Sequence, residues 1–169
     1  SKGMNSPQSS AAGRVFDAAA SLTGGLQVGS FEGQGPMYLE ALAADIEGMA
    51  IELPLYRDST GLWHSDWAPL LAHLVAQSGD AHRSVAQRAA DVHATLAGAI
   101  CAQAIRLAQA HRFTRVGLTG GVFQNARLAE LACAQLTAAG FTVSLPEHLP
   151  CNDAGISFGQ VMEILYSHR

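Results

Sequence analysis

Charge is scarce in this chain. Only 14% of its 169 residues are Asp, Glu, Lys or Arg, and they sum to a net charge of −4. No basic stripe stands out, so the electrostatic footprint that a nucleic-acid surface needs is missing. Cysteine is scarce as well. Cys101, Cys133 and Cys151 lie far apart, with no CxxC pair, which argues against a disulfide framework and fits a reducing cytoplasm. Unbroken apolar runs are also lacking: the stretch 92–110 is interrupted by His93, Gln103, Arg106 and Gln109, so it does not read as a membrane span. No apolar segment follows Lys2, so no signal peptide is expected. HxxxH, HExxH and a GKS or GKT phosphate loop are absent too. Together these absences predict a cytoplasmic protein with neither a membrane nor a nucleic acid as partner.

What is present is apolar and glycine-rich: 49% hydrophobic residues and 17 glycines, enough for one domain with a real core. Residues 1–3, ahead of Met4, read as the remnant of an expression tag, leaving 4–169 as one unit. Val15, Phe16, Ala19 and Leu22 fall at helical spacing after a Ser9 or Ser10 cap, with Gly24 and Gly25 as a stop. A glycine-rich loop leads to Pro36, which opens a second helix carrying Met37, Leu39, Leu42 and Ile46. "IELPLY" and "GLWH" read as short strands around a turn at "RDST", with Pro54 at an edge. A short helix follows, capped by Ser65 or Asp66 and stopped at Gly79. The 3.6-residue period of Val85, Ala89, Val92, Leu96, Ile100 and Leu107 predicts a long helix over 84–111. "RVGLTG" then reads as a buried strand, 126–139 as a helix ending at Gly140, "FTVSLP" as a strand, and 153–168 as a closing helix. This alternation predicts an α/β fold, a small mixed sheet covered by helices.

Three glycine-bearing corners carry what chemistry the sequence offers. "TGGVFQN", residues 119–125, lies between a strand and a helix, where α/β folds bind ligands. Gly120 and Gly121 remove two Cβ atoms and let backbone N–H groups approach an anion, while Asn125 is either part of that cradle or simply the N-cap of the next helix. In "CNDAGISFGQ", Asp153 opens the last helix, as a cap or as a metal-directed carboxylate, and Gly155 and Gly159 permit close approach. In "GRVFDAAA", Asp17 is either a surface carboxylate or one presented to the hydroxyls of a ribose. His148, Cys151 and Asp153 are close in sequence, yet three such groups in so short a span rarely close a zinc site alone. Spacing suggests no nucleophile–base pair, and His93 reads as a helix-face or core histidine.

Taken in order, "SSAAGRVFDAAASL", "SFEGQGPMYLEALA", "ADVHATLAGAI", "LTGGVFQNARLAE" and "LPEHLPCNDAGISFGQ" resemble the C-terminal end of the HypF family of hydrogenase maturation carbamoyltransferases. The resemblance covers nearly the whole chain after Met4. More distantly, the chain is similar to the transferase subunit of tRNA threonylcarbamoyladenosine synthesis and to the antibiotic O-carbamoyltransferases. The resemblance implies an actin-like, sugar-kinase-like (ASKHA) lobe, with nucleotide held between two lobes. It implies that carbamoyl phosphate and ATP yield carbamoyl-adenylate, whose carbamoyl group passes to the C-terminal cysteine of a HypE-like acceptor, toward the cyanide ligands of nickel–iron hydrogenase. By the same resemblance Gly120, Gly121 and Asn125 cradle nucleotide, Asp17 meets the ribose, Glu32 and Gly33 close on the nucleotide, and Asp153 binds a divalent metal (Fe, Zn or Mg). The family's HxxxH metal pair and its preceding domains find no match here, so the metal would be shared with a missing lobe and the isolated chain is expected to be inactive. The rival readings are a catalytically silent nucleotide-binding or partner-docking module, and a lobe of a related O-carbamoyl- or tRNA threonylcarbamoyltransferase. An exposed apolar face where the other lobe belongs is expected to favour a homodimer.

Overall fold

The computed structural model describes residues 9–78, 80 and 82–167; the proposed tag remnant, the Gly79 stop and the end of the last helix at His168 lie outside them. The body is helical: α1 (Ala12–Leu22), α2 (Gln34–Ala43), α3 (Ala68–Ala76), α4 (Val85–His111), α5 (Ala126–Ala138) and α6 (Ile156–Ser167). Two separate two-stranded sheets complete it. In the first, β1 (Leu55–Arg57) pairs antiparallel with β2 (Trp63–Ser65); in the second, β3 (Arg115–Gly117) pairs in parallel with β4 (Thr142–Ser144). The α/β class therefore holds, but the sheet is two fragments rather than one mixed sheet.

The spine is α4. Ser84 caps it, its hydroxyl accepting from the Gln87 amide at 3.1 Å, and the helix ends where Arg112 turns left-handed at φ +53° and donates its N–H to the Ala108 carbonyl at 2.8 Å. Residues 88–95 are buried on every side, as expected of a helix enclosed by neighbours; α1, α2, α3 and α5 all pack against it. Phe16, Leu39, Leu70, Leu74, Val92, Leu128 and Leu136 form the centre of the core.

Polar residues in that buried stretch are spent on backbone. Asp91 accepts from the Met49 amide at 2.7 Å and Thr95 from the Ile51 amide at 2.9 Å, which lays the extended segment 49–51 along the helix. Gly48 makes this approach feasible, since a Cβ there would overlap the Ala90 carbonyl. Arg83 and His73 close on the other Asp91 oxygen, so the fully buried carboxylate is paired. In the β1–β2 turn, Asp58 accepts from the Thr60 and Leu62 amides and from His64, and the Thr60 hydroxyl followed by the His64 ring holds its carboxyl well below the usual range.

Local departures from the expected pattern concern caps and exposure. Neither Ser9 nor Ser10 caps α1, whose cap position is held by Ala11; α2 begins at Gln34, ahead of Pro36; and Trp67 holds the cap position of α3 without a side-chain cap bond, while Asp66 accepts from the Ala68 amide. β3 is not a buried strand: Val116 and Val143 turn toward the core while Arg115, Gly117, Thr142 and Ser144 are exposed. Parallel strands are usually covered on both faces, so this pair has an uncovered one. The same is true of α6, which has no buried residue and turns Phe158, Val161, Ile164 and Leu165 to solvent. Among the described residues no helix is long and apolar enough to cross a membrane.

Candidate functional site

Two corners gather the residues singled out by sequence. The first is a cleft of about 400 Å³ between α1 and the loop that enters α2, lined by Arg14, Asp17, Ser21, Gln27, Phe31, Glu32, Gly33 and Gly35 among others. Its loop is built by backbone that only glycine adopts easily: Gly24 at φ +81° releases the chain from α1, and Gly33 at φ +84° starts α2. Side chains tie the loop down, with Gln27 donating to the Ser21 carbonyl at 2.8 Å and Gln34 accepting from the Ser30 amide at 2.7 Å. Asp17 lies 3.1 Å from the Arg14 guanidinium, which reaches to 3.9 Å from the highly exposed Glu32 carboxylate. Asp17, Glu32 and Gly33 are thus brought together. Arg14 joins them; the sequence reading missed it, although its position three residues before Asp17 on one helix was a usable signal.

The second corner is formed by 119–125 and 151–155. Gly120 sits at φ 110°, ψ 154°, a conformation essentially reserved for glycine, and its amide donates to the Cys151 carbonyl at 2.6 Å. The Thr119 hydroxyl donates to the same carbonyl at 3.3 Å, so the two loops are fastened together. A 3₁₀ turn, Gly121–Gln124, follows; the amides of Gly121 and Val122 at its start have no acceptor among the described residues. Gly120 therefore shapes the corner, and its neighbours hold the free donors. α1 is in contact with this turn, so the two corners adjoin the same helix.

Asn125 holds a structural post. Its side-chain oxygen accepts from the Leu128 amide at 2.8 Å, capping α5, and its amide nitrogen lies 2.9 Å from His93 Nε2. Only 6% exposed, it has both polar atoms engaged within the protein. His93 is fully buried, tilted against the Phe16 ring, and burial pushes its pKa below the ordinary 6.5, outweighing the Ala89 carbonyl that favours the charged form. Sequence gave no link between these two side chains, since 32 residues separate them.

Asp153 opens the short 3₁₀ turn before α6, but the cap there is Asn152, which accepts from the Ala154 amide at 3.1 Å. The Asp153 carboxylate is exposed and makes no hydrogen bond or ion pair among the described residues. Gly155 is explained by packing, since a Cβ would lie 2.7 Å from the Pro150 carbonyl oxygen. No group of three His, Cys, Asp or Glu side chains that could hold a metal ion occurs among the described residues. A lone carboxylate falls short of the roughly four to eight ligands of zinc or calcium sites. The described residues do not by themselves fit a metal centre.

These corners sit in a carbamoyltransferase fold. Residues 1–160 match the family model described as carbamoyltransferase, Kae1-like domain, second subdomain. The chain belongs to the HypF carbamoyltransferase family. It is 40% identical over 162 residues to carbamoyltransferase HypF of Rhodobacter capsulatus, covering 95% of this chain and 20% of that protein. Its backbone resembles a crystal structure of full-length HypF in the phosphate- and nucleotide-bound form, with TM-score 0.80 and 31% identity over 88% of this chain and 19% of that one. It likewise resembles T. kodakarensis HypF, with TM-score 0.80 and 26% identity over 99% of this chain and 21% of that one. The chain thus spans about a fifth of the length of these three relatives.

Proposed function

We propose that this chain is the nucleotide- and carbamoyl-adenylate-binding lobe of a HypF-type carbamoyltransferase. The observation that carries the reading is the cleft beside α1, where Asp17, Arg14, Glu32 and Gly33 converge, next to a glycine corner whose Gly121 and Val122 amides have no acceptor among the described residues. Supporting it is the likeness to a relative whose crystal structure is phosphate- and nucleotide-bound. On this reading Asp17 accepts from ribose hydroxyls, and Glu32 and Gly33 close over the nucleotide. The Gly120–Gly121 corner meets the anionic part, with the Gly121 and Val122 amides as donors. Asn125 contributes by fixing that corner rather than by touching ligand.

The chemistry would use carbamoyl phosphate, ATP and one water to give carbamoyl-adenylate, with phosphate and pyrophosphate released. A thiolate from the C-terminal cysteine of a HypE-like acceptor attacks the carbamoyl carbon, the C–S bond forms, the C–O bond to phosphate breaks and AMP leaves. Such a transfer asks the protein for positioning and for donors aimed at developing negative charge. The isolated chain is expected to bind without turning over. Asp153 is offered as one donor to a divalent metal whose other ligands lie outside this chain. The uncovered faces of α6 and of the β3–β4 pair are where the first subdomain would pack, or where a second copy would in its absence.

Calorimetric titration with Mg²⁺–ATP tests the reading. Asp17→Ala should weaken binding about tenfold, the loss from leaving a ligand's polar groups unpaired at a partly exposed site. Asn125→Ala is a poor control, because it removes the α5 cap. If the wild-type chain gives no binding heat at millimolar nucleotide, a self-sufficient nucleotide lobe is ruled out. A silent docking module then becomes the better description.

A further inference from the structure

We propose that His93, in its Nδ1–H tautomer, is a positioning residue for the Gly120–Gly121 corner, acting by fixing the orientation of the Asn125 amide. This rests on the cradle reading above for its functional meaning, though its geometry stands alone.

The argument is one of hydrogen-bond polarity. His93 Nδ1 lies 2.7 Å from the Ala89 carbonyl oxygen, which can only accept, so Nδ1 carries the proton. At the far end, the Leu128 amide can only donate, and it meets an Asn125 side-chain atom at 2.8 Å; that atom must be the oxygen. The Asn125 nitrogen is then the atom facing His93 Nε2 at 2.9 Å, and Nε2 accepts. Two backbone groups of fixed polarity thus set the direction of a three-bond chain from Leu128 N–H through Asn125 and His93 to the Ala89 carbonyl. Both the tautomer and the amide orientation follow, with no alternative that keeps all three bonds.

A protonated ring cannot join this chain. Its Nε2–H would face the Asn125 NH₂ group, donor against donor. Flipping the amide would relieve that clash but point the NH₂ group at the Leu128 N–H and abolish the cap. Charge on His93 is therefore incompatible with keeping both the His93–Asn125 bond and the cap of α5. The consequence reaches the corner because Asn125 is the joint between two elements: its own N–H donates to the Val122 carbonyl at 3.2 Å, and its carbonyl accepts from the Ala129 amide at 3.0 Å. The Gly120 carbonyl in turn accepts from Phe123 at 3.0 Å inside the turn that presents the Gly121 and Val122 amides.

The surroundings of the ring come from four elements. α1 supplies the uncharged Phe16 ring, with centroids 5.1 Å apart. α2 supplies Glu40, whose carboxylate accepts from the Ala126 amide at 2.6 Å and favours a charged ring. α5 supplies Arg127, which donates to the Ile46 carbonyl at 3.0 Å and disfavours it. α4 itself supplies the Ala89 carbonyl. Burial dominates and keeps the ring neutral.

The test is nuclear magnetic resonance on the labelled full chain. Long-range proton–nitrogen correlations across the His93 ring report its tautomer and titration, while the Gly121 and Val122 amide shifts report the corner, with α3 amides as control. The expected result is a neutral Nδ1–H ring whose protonation, on acidification, moves Gly121 and Val122 in step while α3 stays still. Asn125→Asp keeps an N-cap but puts a carboxylate against Nε2; it should raise the His93 titration midpoint and uncouple the corner from ring charge. His93→Gln should erase the pH response of the corner and weaken nucleotide binding about fivefold, the scale of a lost N-cap. An Nε2–H tautomer, or a corner that ignores His93 titration in the wild type, would overturn the proposal. If the wild type binds no nucleotide, the cradle reading fails, and the tautomer and coupling data still decide this one.

Discussion

Gly35 and Asp17 touch across the α1–α2 interface: a Cβ added to Gly35 would sit 2.9 Å from an Asp17 carboxylate oxygen and 3.3 Å from the Ala20 methyl. The glycine lets the start of α2 press against the carboxylate that faces the cleft. Gly35→Ala should therefore displace Asp17 from the position facing Arg14. Nucleotide affinity is expected to fall by about fivefold to tenfold, an ordinary cost for a shifted polar contact. Titration calorimetry with a parallel thermal melt checks it; a large drop in melting temperature with unchanged affinity would make Gly35 a packing residue only.

The paired glycines of the second corner should behave differently. Gly120→Ala forces a side chain into a backbone region reserved for glycine and should cost about 1–3 kcal/mol of stability. Gly121 has ordinary φ, and a Cβ there would meet Asn152 at an unstrained 3.8 Å. Gly121→Ala should leave stability within about 0.5 kcal/mol of wild type, the usual range for a surface change, while it weakens nucleotide binding. Urea denaturation and calorimetry on both variants separate shape from contact. Equal stability losses would sink the distinction.

Asp91 makes a third case. Removing it leaves Arg83 unpaired and the Met49 amide without its acceptor. Asp91→Ala should cost about 3 kcal/mol, the low end for breaking a buried pair because Arg83 can still reach water. Asp91→Asn keeps an acceptor for Met49 and should lose only about 1–2 kcal/mol. Equilibrium unfolding in urea gives both numbers, and equal losses would assign the whole effect to charge.

Acid should weaken the fold through His93. Its pKa is lower in the folded chain than the ordinary 6.5, so the unfolded chain binds more protons between the folded value and 6.5. Stability then rises with pH across that window and is lost as pH falls through it. Chemical denaturation of wild type and His93→Gln at a series of pH values checks this. The variant should show a flatter dependence below pH 6.5; parallel curves would remove His93 as the source.

Self-association is the last expectation. The apolar side chains of α6 include Ile164 at 61% exposure, and nothing of the helix is buried. Gel filtration should show concentration-dependent dimers that disappear in Val161→Asp/Ile164→Asp, with the melting temperature unchanged. A wild type that stays monomeric at every concentration would end the homodimer proposal.

Helices were legible because their signals are local. Ser84, the apolar period of α4 and Gly140 mark their elements without reference to anything distant. The β1–β2 hairpin was legible for the same reason, with Pro54 just outside the ladder. What escaped was set by neighbours far along the chain. Asp91 sits inside an apolar helix, and its partners Arg83, His73 and Met49 come from three other segments. "TGGVFQN" was found as a corner, but which donors remain free depends on Cys151, and the duty of Asn125 depends on His93. The spacing of Arg14 from Asp17 is local, but its reach to Glu32 depends on the loop before α2 folding over α1.

The bare C-terminal helix has a kinetic side. A helix of 12 residues, none of them buried, falls at or below the roughly 12–15 residues at which isolated helices become marginal in water. Its amide protons should exchange with solvent far sooner than those of the enclosed stretch 88–95, which open only with the whole core. Any body that settles on α6 must first pay the ordering entropy of that helix, which lowers affinity per unit of contact and keeps the union reversible.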